Sequence, residues 1–339
     1  MKFDVVIPTR AIANEVLGAT LASLAMQTIA PHYIFLVCDR HFTSGELTDF
    51  AHWVENYFAE TPAIHVRLLT HLSDDLRVWE QNGSYLRNYG LRKVESECCL
   101  LLDDDNTFAA DFCERMTAEF QQASELYAAE HGRADVLYSP AIWWRTTNII
   151  QSYGLRDFHY FLSWPEPMQG GWKAKCFASV RNIWRRDKQE NALFYYPHMI
   201  GGNSLFWSTA AIRDLWFDEE IAFVAEDIDF SYRRWKNRWP IVVSKTLVVH
   251  HMERDKTPAE RSFLADPRTA YQKWRNRFLF VKKNASRSER IWFLACGAWI
   301  QALWMIMKII GGDYGSMKQK RNVLWWYIQW TWVGMQSMP

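Results

Sequence analysis

The stretch Cys98-Cys99-Leu100-Leu101-Leu102-Asp103-Asp104-Asp105-Asn106 sets the reading of the whole chain. Five apolar residues in a row, too few for a helix, read as a strand buried on both faces. The run stops at three adjacent carboxylates. Such groups repel one another, and folding does not require them there. In α/β sheets ligands bind beyond the carboxyl ends of the strands, and these acids stand at such an end. A solvated acidic turn is the plain alternative. The chemical one is a divalent cation, because hard oxygen ligands suit Mg2+ or Mn2+.

The flanking sequence alternates strand-like and helix-like segments. Asp4 to Ile7 is a short apolar run stopped by Pro8, and Asn14 to Gln27 has helical spacing. Tyr33 to Val37 reads as a strand ending at Cys38-Asp39, Glu46 to Phe58 as a helix, Ile64 to Leu69 as a strand and Gly83 to Val94 as a helix. Beyond the acidic triplet, Ala109 to Glu130 is helical and Val136 opens another strand. This order predicts a Rossmann-like α/β fold, with a mostly parallel sheet flanked by helices. Between Arg145 and Pro197 the pattern dissolves around Trp164-Pro165-Glu166-Pro167 and Gly170-Gly171-Trp172. Long irregular segments in compact domains usually serve as lids or binding loops. Met199 to Trp207, a helix over Glu226 to Trp235, and strands Ile241 to Val243 and Leu247 to Val249 follow. After about Pro258 the chain reads as helical, first over Ala259 to Lys283, then over Ile291 to Ile310 and Val323 to Val333. The expected domains are therefore 1–257, catalytic, with halves 1–140 and 141–257, and 258–339, a helical extension.

The chain has 339 residues, 49% of them hydrophobic and 23% charged, enough for a sizeable globular core. A net charge of +1 points to no polyanionic partner, so nucleic acid is not expected. The distribution is uneven: Arg268 to Arg321 holds twelve Lys/Arg against two acids, leaving the remainder acidic. A basic tail suits phosphate or anionic lipid, or merely flanks apolar helices. Ile291 to Ile310 is long enough to span a bilayer, but Gln301 and Lys308 interrupt it, and its tryptophans are scattered along it. The C-terminal helices are therefore expected to lie on a membrane surface rather than cross it. Six cysteines without a CxxC pair signal neither zinc nor a disulfide framework, and suggest a reducing compartment. The strand pattern begins at Phe3, so no signal peptide is expected. Nineteen tryptophans offer flat apolar faces for sugar rings or an interface, as well as ordinary core packing.

Three further constellations accompany the triplet. Glu226-Asp227-Ile228-Asp229 opens a helix, where acids favour the dipole; paired acids also meet the need for a general base. His250-His251 follows an apolar run and offers either a metal ligand or a structural histidine. Asn82-Gly83-Ser84-Tyr85-Leu86-Arg87-Asn88 combines a permissive glycine with an arginine suited to phosphate or carboxylate.

In this order the pieces resemble the family 2 glycosyltransferases with the GT-A fold. Val5-Val6-Ile7-Pro8-Thr9 with Ser23-Leu24 and Gln27 is similar to the family's first strand and helix, and Asp39 to the acid that contacts the base. Gly83, Arg87 and Asn88 resemble its "G…RN" helix, and Leu102 to Asp105 its D-x-D motif. Gly201-Gly202-Asn203 and Phe217-Asp218-Glu219 resemble its acceptor-side segment, and Glu226-Asp227 its "ED" motif, whose aspartate is the base. Asp227 through Arg233 and Pro240 to His251-Met252 looks like a mycobacterial galactofuranosyltransferase, in which the equivalent histidine binds metal; this favours His251 over His250. Trp274-Arg275-Asn276 is similar to an element found also in rhamnosyltransferases. Against that galactofuranosyltransferase no extra N-terminal domain is expected, and against the commoner family pattern Cys-Asp-Arg at 38–40 replaces the usual acidic pair, so the resemblance leaves the donor sugar open.

The resemblance implies an inverting, metal-dependent transferase. Its donor would be a nucleotide diphosphate sugar, UDP- or dTDP-linked, with galactofuranose or rhamnose as candidate sugars. Its acceptor would be a glycan or lipid-linked glycan of bacterial surface polysaccharide synthesis, met at the cytoplasmic face of the inner membrane. Asp227 would be the base. Pro8, Thr9, Arg10, Asp39, Gly83, Arg87, Asn88, Asp103 and Asp104 would bind the donor, and Asp103, Asp105 and His251 the Mn2+ or Mg2+ ion. Trp172, Gly202, Asn203, Glu226 and Asp229 would face the acceptor. Oligomeric state is left open. Two other classes compete. A nucleotidyltransferase would want a glycine-rich phosphate loop, which Thr9-Arg10-Ala11-Ile12-Ala13-Asn14 is not. A catalytically silent membrane-surface protein would not need the carboxylates.

Overall fold

The structure, a computed structural model, describes residues 1–10, 13–39, 42–61, 63–70, 83–132, 134–144, 149–151, 193–195, 200, 204–212, 215–221, 225–252 and 267–292. Trp172, Gly202, Asn203 and the segment 293–339 lie outside these residues. The chain divides into two compact units, Met1–Gly154 with Ala192–Asp255, and Leu155–Asn191 with Lys256–Pro339.

The first unit is built on one sheet. Its strands are β1 (Phe3–Thr9), β2 (Tyr33–Cys38), β3 (His65–Thr70), β4 (Cys98–Leu102), β5 (Asn106–Thr107), β6 (Leu137–Trp144), β7 (Ile149–Gln151), β8 (Phe194–Tyr195), β9 (Ser204–Ser208) and β10 (Ile241–His251). The order is β3-β2-β1-β4-β9-β6-β10-β5, with β7 on β6 and β8 on β10. The first four neighbours are parallel, as are β6 and β10, while β9 runs antiparallel between β4 and β6. The sheet is therefore mixed, with its parallel part where the βα alternation is regular. β1, β2 and β4 all end on the same side, where the acidic triplet begins.

Alternation along the strands separates two cores. Val5, Ile7, Ile34, Leu36, Leu100 and Leu102 face one layer, and Val6, Phe35, Val37, Cys99 and Leu101 the other. The first layer is covered by α1 (Glu15–Ala25), α2 (Ser44–Phe58) and α4 (Phe112–His131), through Leu17, Leu21, Phe50, Val54, Met116 and Phe120. The second is covered by α3 (Gly83–Leu91), with Leu86 and Leu91, and by α6 (Glu226–Lys236), with Phe230. A four-residue helix, α5 (Thr209–Ile212), follows β9. Local chemistry sets the helix ends. Asn14 Oδ1 accepts the Val16 and Leu17 N–H groups, Thr43 and Glu46 form a reciprocal capping box on α2, and Gly132 ends α4 in the left-handed region. α3 lies close to the sheet: a Cβ on Gly90 would come within 2.4 Å of Val6 Cγ1 and 2.7 Å of Val37 Cγ2.

Several boundaries differ from the sequence reading. The two strands expected at 241–243 and 247–249 are one strand, β10, whose register against β6 shifts between Val243 and Val248. Ser244 Oγ accepts the N–H groups of Thr246 and Leu247, so the polar interruption is a bulge rather than a break. Short strands β7 and β8 stand at the edges of the stretch read as irregular. In the second unit, α7 (Pro267–Asn284) lies within and just past the helix expected over Ala259 to Lys283, whose first eight residues lie outside the described ones, and α8 (Arg287–Trp292) follows. Among the described residues no helix is long and apolar enough to cross a membrane. The expectation for 291–310 falls almost wholly outside them.

Candidate active site

A cleft opens at the carboxyl ends of β1, β2 and β4. Pro8, Thr9, Arg10, Asp39, Gly83, Leu86, Arg87, Asp103, Asp104, Asp105 and Glu226 line it. The topology explains the meeting: β1 ends at Thr9, β2 at Cys38 and β4 at Leu102, so the next residues share one rim. The Asp39 N–H donates to the Thr9 carbonyl at 2.7 Å, which ties two of these ends together.

The triplet is held differently at each position. Asp103 Oδ1 accepts from Arg87 Nη2 at 3.1 Å, while Arg87 Nη1 donates to Glu226 Oε1 at 2.5 Å. Asp104 Oδ2 accepts the Thr9 hydroxyl at 2.6 Å, and the Asp104 carbonyl accepts the Thr20 hydroxyl at 3.0 Å. Asp105 Oδ2 lies 3.2 Å from His251 Nε2, and the Asp105 carbonyl accepts the Met252 N–H at 2.7 Å. β5 creates this last approach by pairing Asn106 with His251. Its partner His250 is exposed, whereas His251 is buried.

The electrostatics are unbalanced. Burial pushes the Asp103 carboxyl up to about 8 against the pull of Arg87, and Asp105, Asp104 and Glu226 push the same way. Burial also raises Asp104, opposed by the Thr9 hydroxyl and by Arg10. Burial works against the charge of Arg87, yet Glu226, Asp103 and Asp227 together hold it above the ordinary arginine range. Among the described residues, five carboxyl groups line the cleft against two arginines, an excess of acidic groups.

Among the described residues no three His, Cys, Asp or Glu side chains converge into a ready-made metal cage. Asp105 and His251 do form a two-member donor set, with Asp103 adjoining but engaged by Arg87. One carboxylate, one imidazole and an excess of acidic groups fit a divalent ion that keeps waters and takes its other oxygens from a phosphate ligand.

Two expected site residues are placed elsewhere. Asn88, expected to bind the donor, is buried off the cleft. Its Nδ2 donates to the Phe217 carbonyl and to Glu219, and its Oδ1 accepts the Phe217 N–H, so its bonding is spent on the fold. Asp229, expected to face the acceptor, is fully buried and accepts from Arg233 Nε at 2.7 Å. Glu226 lines the cleft but is engaged by Arg87. Asp227 is half-buried, its Oδ1 accepting the Ile228 N–H at 2.7 Å. Sequence reasoning missed the roles of Thr20, whose hydroxyl supports the triplet and which stands in no pattern that marks a site, and of Ser84, which lies within the Asn82–Asn88 constellation and whose hydroxyl donates to the Ile221 carbonyl.

Comparison with solved structures adds to this geometry. S. aureus TarS superposes with a TM-score of 0.51 at 17% identity, over 97% of this chain and 49% of TarS. TarS 1-349 in complex with UDP-GlcNAc gives 0.50 at 17% identity, over 98% and 82%. The fold is GT-A-like. This chain spans about half the length of the first of those TarS chains, and at this identity the likeness speaks for the fold alone. No family model matches the sequence, and no curated protein matches it.

Proposed function

We propose that the chain is an inverting glycosyltransferase acting on a UDP- or dTDP-linked sugar. The observation that carries this reading is the cleft: a D-x-D-type triplet, Asp39 and the start of α6 meet on one rim of a GT-A-like sheet. The complex of TarS 1-349 with UDP-GlcNAc supports a nucleotide sugar as donor. The acceptor would be a hydroxyl of a glycan or lipid-linked glycan in bacterial surface polysaccharide synthesis. The basic, aromatic C-terminal segment would bring the chain to the cytoplasmic face of the inner membrane.

In this reaction the acceptor oxygen attacks the anomeric carbon opposite the diphosphate. The bond from that carbon to the diphosphate oxygen breaks, and the configuration inverts. Asp227 takes the hydroxyl proton, a contribution of roughly 10²–10⁴-fold in rate. The Ile228 N–H fixes one Asp227 oxygen, which orients the carboxylate. Pro8, Thr9, Arg10 and Asp39 form the nucleoside end of the cleft. Asp105 and His251, with Asp103 beside them, would hold Mn2+ or Mg2+, which when bound neutralises charge on the diphosphate. Orientation and electrostatics supply most of the acceleration.

The test is a calorimetric titration of the full chain with UDP and with dTDP, in the presence of Mn2+. Saturable binding of at least one is expected, and weaker binding after Asp39→Ala. Absence of binding to both contradicts the reading.

A further inference from the structure

The helix that carries the proposed base has an alanine, without a capping side chain, at its N-cap position. α6 begins after Ala225, a non-glycine residue at φ 71 whose side chain caps no helix N–H group; in the first turn Asp227 Oδ1 accepts the Ile228 N–H. A left-handed alanine costs of order 1 kcal/mol. Something else must fix this helix start, because Asp227 is its second residue.

Among the described residues, one face of α3 supplies three such groups. Ser84, Arg87 and Asn88 stand at positions i, i+3 and i+4, which point the same way from a helix. Ser84 Oγ donates to the Ile221 carbonyl at 2.7 Å, and Asn88 makes its three bonds to Phe217 and Glu219. Arg87 reaches Glu226, the first residue of α6. These three side chains therefore hold successive points of the approach to α6. Arg87 does more, because its second nitrogen is engaged by Asp103 at the end of β4. Arg87 is 7% exposed, and its guanidinium carbon lies 5.6 Å from the centre of the Phe217 ring. A planar fork with several donors can span two carboxylates in this way; an ammonium cannot.

We propose that Arg87 is a positioning residue, a buried clasp that holds Glu226 at the start of α6 and Asp103 at the end of β4 in one arrangement. Through Glu226 it sets where Asp227 stands relative to the donor. This assigns Arg87 a role other than direct contact with the donor diphosphate. The assignment rests on the glycosyltransferase reading of the cleft.

Two roles for Arg87 predict different kinetics. A phosphate contact acts on donor binding, whereas a clasp acts on the placement of the base and so on kcat. A misplacement of about 1 Å can cost on the order of 10²-fold in rate. The experiment uses full-length protein at fixed Mn2+. UDP affinity is measured by calorimetry, and kcat and KM with the best donor from a panel of UDP- and dTDP-sugars. The variants are Arg87→Lys, Glu226→Gln and the two together, each with a thermal melt. The expected result is a kcat loss of about 10²-fold in each single variant, UDP affinity within about 3-fold of wild type, and a double variant little worse than either single one. If Arg87→Lys does not fold, Glu226→Gln carries the same test alone. Arg87→Lys with UDP affinity lowered tenfold or more and kcat near wild type overturns the clasp in favour of a phosphate contact. Glu226→Gln with wild-type kcat overturns it as well. A wild-type chain that neither binds UDP or dTDP nor turns over any donor overturns the site reading itself, and the clasp with it.

Discussion

His251 Nε2 stands 3.2 Å from Asp105 Oδ2, at the junction where β5 pairs with the last residues of β10. Two remote segments thus deliver an imidazole and a carboxylate to one point beside the acidic triplet. The neighbouring residue His250 is exposed. If the Asp105–His251 pair holds a divalent ion, chelation should abolish transfer, and Mn2+ or Mg2+ should restore it. His251→Ala should raise the metal concentration for half-maximal activity by at least 10–100-fold, and His250→Ala should leave it unchanged. A metal titration of activity checks both. Full activity in excess chelator, or equal small effects of the two variants, contradicts the assignment.

Asp227 and Asp229 should separate cleanly. Asp229 is fully buried against Arg233, so Asp229→Asn should lower stability by about 1–3 kcal/mol, read as a shifted urea midpoint, with kcat largely retained in the folded fraction. Asp227→Asn should leave the midpoint and UDP affinity nearly intact and reduce kcat by roughly 10²–10⁴-fold. The opposite pattern would move the base by two residues.

Gly90 is the point of closest packing between α3 and the sheet. Alanine is the better helix former by about 1 kcal/mol, yet a Cβ there would meet Val6 and Val37, whose branched side chains are locked in strands. Gly90→Ala should therefore destabilise the chain by about 1–3 kcal/mol and displace α3, with Arg87 on it. Denaturant unfolding checks this. A variant as stable as wild type would show that α3 has room to move.

The proposed membrane-surface role rests on the basic and aromatic composition of the C-terminal segment. Full-length chain expressed in bacteria should sediment with membranes and be released, at least in part, by high salt or alkaline carbonate. Complete resistance to carbonate would favour a spanning helix over an interfacial one.

Much of the fold was legible. Cys98 to Leu102 reads as a strand because a continuous apolar run of five is too short for a helix, and the βα alternation around it predicts parallel neighbours. The antiparallel insertion of β9 was not legible, since direction is settled by long-range pairing. The bulge in β10 was hidden because Ser244 bonds its own backbone, which sequence shows only as a polar gap. At the site, the acids were visible as unexplained charge, but their roles were not. The ties of Arg87 to Glu226 and of Thr9 to Asp104 join residues 139 and 95 positions apart, and no local pattern records such distances. Asp229 had a visible signal that points away from catalysis: Arg233 lies four residues on, the spacing of a helical ion pair.

The proposed function of this cleft is transfer of a sugar from a nucleoside diphosphate sugar. The most direct measurement is product release by the full chain offered UDP-galactofuranose, dTDP-rhamnose and UDP-GlcNAc with a glycan acceptor extract. Release of UDP or dTDP with at least one donor is expected, dependent on acceptor and reduced roughly 10²–10⁴-fold by Asp227→Asn. Release of pyrophosphate from a nucleoside triphosphate in place of nucleoside diphosphate, or release indifferent to Asp227, would contradict it.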